Sequence, residues 1–184
     1  MKNGQYHPLL RYIHFGLVIF GISSLLTAEF AEEGGDLGFW VHSILGILLG
    51  LFILLRLVSG LIGSSSDLSL RLWWGKIRQY KTSVMEDIRI LSGLSVPEGE
   101  LHDGIAGIVQ AFGLFTFAWM CVTGMFLFFI ELGGSGAFED LLEEAHEAGE
   151  IFVISFLFLH IGAVVLHYIK GTNLWNRINP FKTS

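Results

Sequence analysis

Cysteine and charge are scarce in this sequence. Cys121 is its one cysteine, so the chain can form neither an internal disulfide nor a site built on paired cysteines. Charged residues make up 15% of the 184 residues, against roughly 25% in a typical soluble domain, and the net charge is −6. These shortages exclude a disulfide-stapled secreted domain, a disordered chain and a basic nucleic-acid-binding protein. Hydrophobic residues reach 52%, and the mean hydropathy of +0.61 indicates a membrane protein.

Four long apolar stretches predict membrane spans, because about 20 apolar residues cross the hydrocarbon core as a helix and an open sheet cannot cross lipid. The sequence therefore predicts an all-α, integral membrane four-helix bundle that forms one domain over residues 1–184. The residues after the first stretch make a poor small-residue cleavage site and the stretch carries His14, so we interpret it as a retained span and not as a signal peptide. The predicted spans are residues 9–28, 38–62, 104–130 and 142–169.

Basic residues are confined to one side of the predicted spans. The connection between the first two spans carries four acidic residues, the connection between the last two carries seven, and neither contains Lys or Arg. The basic residues lie in the N-terminus, at the end of the second span, in the middle loop or in the C-terminal tail. Because cytoplasmic loops are enriched in Lys and Arg, we predict that both termini and the middle loop are cytoplasmic and that the acidic connections face outward.

The middle loop, residues 63–103, is the one long connection. It opens with Gly63 and three serines, a flexible breaker. Apolar residues then recur at three- and four-residue steps from Leu70 to Leu91, among basic residues, which predicts an amphipathic helix. We interpret this helix as lying on anionic lipid, and an element that docks a partner protein is the alternative.

Histidines within apolar spans are costly and often functional. His146 and His160 are 14 residues apart, which turns a helix by about 1400°, close to four full turns, and advances it by about 21 Å. Both therefore lie on one face of the last helix at two depths. His42 lies near the outer end of the second span and His14 near the inner end of the first. We define His42 and His146 as the outer pair, and His14 and His160 as the inner pair.

Two imidazoles facing each other across a bundle suit the two axial positions of a haem iron. Zinc prefers about four ligands in one place, whereas each pair offers two histidines and no cysteine. A di-iron carboxylate site needs Glu-x-x-His motifs on two helices, and Glu143 with His146 forms the one such motif in the sequence. An iron with both axial positions filled has no place for oxygen, which favours one-electron transfer.

Several segments resemble the bacterial cytochrome b561 family of membrane di-haem cytochromes. Residues 145–147 (Ala-His-Glu) and 159–163 (Leu-His-Ile-Gly-Ala) resemble the family's final helix, with its two histidines 14 residues apart. Residues 12–15 (Tyr-Ile-His-Phe) resemble the first-helix histidine, which an aromatic residue follows. Residues 56–60 and 102–104 resemble the end of the second helix and the start of the third in members related to hydrogenase b-type subunits.

The resemblance implies two haem b groups, with the inner one on His14 and His160 and the outer one on His42 and His146. Helical spacing had indicated the same pairs. The resemblance also implies quinone as an electron partner and the bacterial inner membrane as the location. Some members exchange electrons with periplasmic c-type cytochromes, and one branch oxidises superoxide and delivers the electron to quinone.

Three further residues are candidates for cofactor binding. Arg56 lies 14 residues after His42, so it shares that face and is predicted to pair with propionates of the inner haem; a side chain that snorkels to the interface is the alternative. His167, seven residues after His160, is an alternative inner ligand, but its place at the membrane edge better suits a propionate or a quinone. His102, at the entry to the third span, is a candidate for the same contacts or a plain interface residue.

Three functions fit these features. The first is electron exchange between membrane quinone and a periplasmic redox protein, and the second is superoxide:quinone oxidoreduction. The third is a haem-free helical scaffold or transporter subunit. The acidic outer side repels the superoxide anion and attracts a basic protein such as a c-type cytochrome, so we favour the first. The sequence leaves open the direction of electron flow, and whether the chain forms a homodimer or joins a larger complex.

Overall fold

A computed structural model describes residues 5–65, 68–70, 80–93, 104–133 and 138–182. Within these ranges the structure is helical with short connections, and no described residue lies in a β-strand. The predicted all-α class is confirmed. The helices are, in chain order, α1 (Pro8–Leu26), α2 (Ala28–Glu33), α3 (Gly35–Ile62), α4 (Tyr80–Ser92), α5 (Gly104–Gly133), α6 (Glu139–Ile169) and α7 (Trp175–Ile178).

Four of these helices, α1, α3, α5 and α6, are long and apolar enough to cross a membrane. They contain 19, 28, 30 and 31 residues, and about 20 residues at 1.5 Å each cover a hydrocarbon core of roughly 30 Å. Many of their large apolar side chains are exposed, among them Leu26, Phe158 and Ile169. Such side chains contact lipid in a membrane protein. The prediction of four apolar membrane helices is confirmed.

The helix boundaries lie within three residues of the predicted spans, and two of the differences have local reasons. The first span is predicted to reach residue 28, whereas α1 ends at Leu26 and the six-residue α2 follows. Gly34 and Gly35 separate α2 from α3, and Gly35 has a φ of 57°, which residues with a side chain rarely adopt. The last helix begins at Glu139, before the predicted residue 142. Glu139 and Asp140 in its first turn interact favourably with the positive end of the helix dipole.

The chain divides into two compact units, and each contains parts of all four long helices. All eleven Lys and Arg residues of the sequence belong to unit 1, whereas unit 2 has none and carries eleven of the seventeen acidic residues. The division into units therefore coincides with the division of charge. Unit 1 comprises Met1–Tyr12, Arg56–Gly113 and Phe156–Ser184, and unit 2 comprises Ile13–Leu55 and Leu114–Ser155.

Aromatic side chains connect the helices within unit 2. Phe39 on α3 stacks on Phe128 on α5, with ring centroids 6.1 Å apart. Nε1 of Trp119 on α5 donates a hydrogen bond of 2.9 Å to the carbonyl oxygen of Ala145 on α6. Because Ala145 directly precedes His146, this bond fixes α6 at the level of a predicted ligand.

In unit 1 the buried guanidinium of Arg11 holds the C-terminal segment. Nε of Arg11 donates a 2.8 Å hydrogen bond to the carbonyl oxygen of Asn179, and Nη2 donates to the same oxygen. Nη2 also donates to the carbonyl oxygen of Lys182 at 2.7 Å, and Nη1 donates to Oε1 of Gln5 at 3.4 Å. Charged donors make the stronger hydrogen bonds of proteins, so this cluster anchors the residues that follow α7.

Replacing Arg11 by methionine is expected to release this C-terminal segment, because methionine keeps an apolar stem but donates no hydrogen bond. A hydrogen bond from a charged group contributes about 1.5–3 kcal/mol, and 1.4 kcal/mol is a factor of about ten in an equilibrium. Trypsin should therefore cut after Arg177 at least ten times faster. Lys170→Met, at an exposed position of the same unit, is the control, and equal cleavage of the two variants would show that Arg11 is no anchor.

A helix, α4, lies within the part of the middle loop for which an amphipathic helix is predicted, and residues 71–79 of the predicted helix lie outside the described residues. Oδ2 of Asp87 on α4 accepts a 2.7 Å hydrogen bond from the backbone N–H of Ile105. Gly104 comes just before with a φ of 52°, and a Cβ at this position would overlap the Asp87 carboxylate. Asp87 therefore fixes α4 to the start of α5, while the position of α4 on lipid stays a prediction.

Candidate functional site

His42 and His146, the predicted outer pair, lie close together within unit 2. His42 is on α3 and His146 on α6, and both side chains are half-buried. The centroids of the two rings are 6.2 Å apart, and the ring planes are nearly perpendicular at 89°. Helical spacing predicted the face of α6 on which His146 lies. The structure adds that the ring of His42 lies next to the ring of His146.

A threonine hydroxyl contacts Nδ1 of each ring in the outer pair. Oγ1 of Thr123, on α5, lies 2.8 Å from Nδ1 of His146. Oγ1 of Thr27, between α1 and α2, lies 3.4 Å from Nδ1 of His42. Gly124 follows Thr123, and a Cβ at this glycine would lie 3.0 Å from Cε1 of His146. The approach of α5 to this imidazole therefore depends on a hydroxyl and on a neighbouring residue without a side chain.

The outer pair offers two nitrogen ligands and not a cluster. Nδ1 of His146 contacts Thr123, which would leave Nε2 of this ring for a metal. His42 contacts Thr27 through Nδ1 and also hydrogen-bonds to the backbone of Ser24. Across the described part of the chain, no group of three or more His, Cys, Asp or Glu side chains is placed to hold a metal ion. Two opposed imidazoles fit a metal that brings its other ligands with it, as haem iron does.

The histidines of the predicted inner pair belong to different units, His14 on α1 to unit 2 and His160 on α6 to unit 1. The His160 ring stacks on Phe156, with centroids 5.2 Å apart and planes at 23°. Phe156 in turn occupies the space beside Gly113, where a Cβ would overlap the phenylalanine ring. An aromatic neighbour one turn away on the same helix thus orients His160. The pairing of His160 with His14 stays a prediction.

The match to known families covers nearly the whole sequence: residues 5–180 fit the family model described as prokaryotic cytochrome b561. The chain belongs to the prokaryotic cytochrome b561 family. Comparisons with curated proteins and with solved structures gave no match. The cytochrome is thus a multi-pass bacterial membrane protein whose apolar helices contact lipid, and its family transfers electrons across the membrane by means of haem b.

The separation of the two rings in the outer pair is compatible with one haem iron held between two imidazoles. An imidazole nitrogen binds a metal at about 2.0–2.1 Å, as zinc sites show, and the ring centroid lies roughly 1 Å beyond that nitrogen. Two imidazoles on opposite sides of one iron therefore place their centroids roughly 6 Å apart. The observed separation of 6.2 Å agrees with this value.

Arg56, the predicted propionate partner, is buried near the end of α3 with 8% of its surface exposed. Its Nη1 donates a 3.0 Å hydrogen bond to the carbonyl oxygen of Leu68 in the middle loop. A guanidinium has five N–H groups. Arg56 therefore holds the loop with one of them and has others for an anionic group, and the structure leaves its predicted role untested.

The two remaining candidates of this cytochrome stay predictions. His167 is half-buried in the last turn of α6, seven residues after His160. His102 lies outside the described residues. Neither position tests the predicted contacts with a propionate or a quinone.

Sequence reasoning missed Thr27 and Thr123. A threonine in a helix ordinarily hydrogen-bonds to a carbonyl of the preceding turn, so a threonine alone is no signal of a site. The available signal was the dipeptide Thr123-Gly124 in a span otherwise rich in large apolar residues. Thr27, at the break between two helices, gave no signal at all.

Proposed function

We propose that this cytochrome exchanges electrons between the membrane quinone pool and a redox protein on the periplasmic side, through two haem b groups that are each held by two histidines. The meeting of His42 and His146 at 6.2 Å within unit 2 carries this proposal. Unit 2 is also the part of the chain that is acidic and lacks Lys and Arg. It therefore combines a pair of axial ligands with a surface suited to a basic partner.

Each pair of histidines binds one haem b in this proposal. The assignment of His14 and His160 to the second haem is supported by the 14-residue spacing of His146 and His160 on α6 and by family membership. Haem b with two imidazole ligands supplies one-electron chemistry and leaves no coordination site for oxygen. The chain supplies four imidazoles at two depths of the membrane, on helices that are rich in apolar residues.

Charge placement supports an orientation with both termini in the cytoplasm of a bacterium. Unit 1 contains the terminal segments, the middle loop and every Lys and Arg, and such residues favour the cytoplasmic side. The two acidic connections between the spans then face the periplasm. In this orientation Arg56 binds a propionate of the inner haem with its remaining N–H groups, and His102 and His167 contact a propionate or a quinone at the cytoplasmic side.

Exposed carboxylates of unit 2 form what we call the acidic face. This face attracts a basic redox protein, such as a c-type cytochrome, and raises its rate of encounter. Oxidation of one quinol to quinone releases two electrons and two protons, so it reduces two one-electron partners, and the reverse reaction has the same balance. The described and exposed members of the acidic face are Glu29, Glu33, Asp36, Glu131, Asp140, Glu143, Glu144 and Glu147.

Superoxide oxidation is the alternative function. Two superoxide ions would give two electrons to one quinone, which takes up two protons to form quinol, and two molecules of oxygen would be released. Superoxide is an anion, and unit 2 contains no Lys or Arg to attract it. The acidic face therefore favours a basic protein as the partner.

The test uses the purified protein in lipid vesicles, with absorbance in the visible range as the readout. Quinol should reduce the haem, and an oxidised basic c-type cytochrome should re-oxidise it, with two cytochromes reduced for each quinol. An acidic c-type cytochrome of similar potential is the control and should react more slowly. A protein without b-type haem would refute the proposal, and rapid reduction by superoxide without any reaction of the basic cytochrome would establish the alternative.

A further inference from the structure

Nδ1 of each imidazole in the outer pair contacts the hydroxyl of a threonine. We propose that Thr27 and Thr123 are positioning residues, which hold His42 and His146 in the tautomer with a protonated Nδ1 and with Nε2 as the ligand. In this role they also lower the reduction potential of the outer haem. The inference rests on the proposed function, because it takes His42 and His146 as axial ligands.

The hydroxyl proton of Thr123 is already used within α5. Oγ1 of Thr123 lies 3.0 Å from the carbonyl oxygen of Trp119 and 3.3 Å from that of Met120, and it donates to these acceptors. A hydroxyl has one proton to donate, whereas its oxygen can still accept. With that proton donated within α5, the contact of 2.8 Å with His146 is, in the proposed tautomer, a hydrogen bond that Nδ1–H of the imidazole donates to Oγ1.

Thr27 repeats this arrangement at the other ring. Its Oγ1 donates to the carbonyl oxygens of Ser23 and Ser24, at 2.9 and 3.1 Å. In the proposed tautomer, the contact of 3.4 Å with Nδ1 of His42 is also a donation from the imidazole to Oγ1. At this distance it is the weaker of the two bonds. The backbone carbonyl of Ser24 is a second acceptor for this imidazole.

In the proposed tautomer of each histidine, Nδ1 carries the proton that the threonine oxygen accepts. A neutral imidazole carries one N–H, so a proton on Nδ1 leaves the lone pair of Nε2 for iron. Each threonine also lies on a different element from the histidine that it contacts. Thr27 lies between α1 and α2 and acts on α3, while Thr123 lies on α5 and acts on α6. The tautomers are therefore fixed by the packing of the helices within unit 2.

A histidine that donates its second N–H becomes a more basic ligand. A more basic ligand stabilises ferric over ferrous iron, because the ferric ion carries the larger charge. Both threonines should therefore lower the reduction potential of the outer haem. The shorter bond of Thr123, 2.8 Å against 3.4 Å, gives Thr123 the larger share of this effect.

Thr123→Val tests the inference, because valine has nearly the same shape and accepts no hydrogen bond. Potentiometric titration of the purified protein should show the outer haem shifted about tenfold toward its ferrous form, which is about 59 mV upward for a one-electron couple. The inner haem should not change. Thr27→Val should produce a smaller upward shift, and Thr123→Ser, which keeps the hydroxyl, should retain the original potential.

Thr116→Val is the matched control. Thr116 lies on α5 two turns before Thr123, with 1% of its surface exposed. Among the described residues, its Oγ1 has no hydrogen-bond partner. The variant therefore makes the same chemical change in the same buried helix without removing a hydrogen bond to a histidine, and both haem potentials should stay as they are.

The outcomes separate this inference from the ligand assignment. His146→Ala should lose the outer haem and keep the inner one. The potential measured for this variant is then that of the inner haem, and the other potential of the unaltered protein belongs to the outer haem. If His146→Ala keeps both haems, the ligand assignment and this inference fail together. If it loses one haem while Thr123→Val and Thr116→Val behave alike, this inference alone fails. If Thr123→Val loses the outer haem while Thr123→Ser keeps it, the inference is supported. If both variants lose the outer haem, the inference is overturned.

Discussion

One haem b per chain is the expected content of the His146→Ala protein, against two in the unaltered protein. Removal of a residue that merely supports a metal ligand costs about 10–100-fold in affinity. Removal of a ligand itself should lower the affinity for haem further, because His42 then remains as the single imidazole of the outer pair. His42→Ala should give the same result. The reduced-minus-oxidised spectrum with haem quantification measures the content.

Two other histidines provide controls for this result. His7 is exposed at the start of α1, and His7→Ala should retain both haems. His167→Ala should also retain both, whereas His160→Ala should lose the inner one. This comparison distinguishes His160 from His167 as the inner ligand. Loss of both haems from His146→Ala in a protein that keeps its helical content would contradict two separate sites.

The association rate with a basic c-type cytochrome should fall by about tenfold or more as salt rises. Electrostatic steering accelerates association by about 10–10³-fold. The Debye length shortens from about 30 Å at 0.01 M to about 3 Å at 1 M ionic strength. At high salt the acidic face therefore no longer attracts a partner from a distance. Stopped-flow measurement of haem oxidation across this range tests the effect.

Charge-neutral variants locate the steering surface. Glu143 and Glu147 are exposed on the acidic face, so Glu143→Gln together with Glu147→Gln should lower the rate at low salt and flatten its salt dependence. Glu86→Gln changes an exposed acidic residue on α4 in unit 1, and it should leave the rate unaffected. A rate that rises with salt would rule out attraction between the partner and unit 2, and such a rise is expected for reduction by superoxide.

The four long helices follow directly from hydropathy, because lipid permits few other structures for such apolar runs. The separation of basic from acidic segments was equally predictable from the sequence, because the segments that form unit 2 contain no Lys or Arg. The outer pair was predictable in part. Spacing within α6 fixed the face of His146, and the predicted topology put His42 at the same depth, but neither gave the ring separation of 6.2 Å.

Contacts between distant parts of the chain were not predictable. Arg11 binds the backbone of Asn179, 168 residues away, and a carbonyl acceptor leaves no trace in the sequence because every residue has one. The role of Thr123 was hidden for a related reason. Its hydroxyl bonds to its own helix, as threonines in helices usually do, and its second contact depends on how closely α5 approaches α6.

The concentration of carboxylates in unit 2 has a consequence for how the chain enters its membrane. A bacterial membrane is electrically negative inside, and moving one negative charge outward across 100 mV gains about 2.3 kcal/mol. Both connections that must cross the membrane carry acidic residues but no Lys or Arg, whose positive charge would oppose outward transfer. In the proposed orientation the membrane potential therefore favours the transfer of both acidic connections across the membrane, and the finished protein retains a charge asymmetry aligned with that potential.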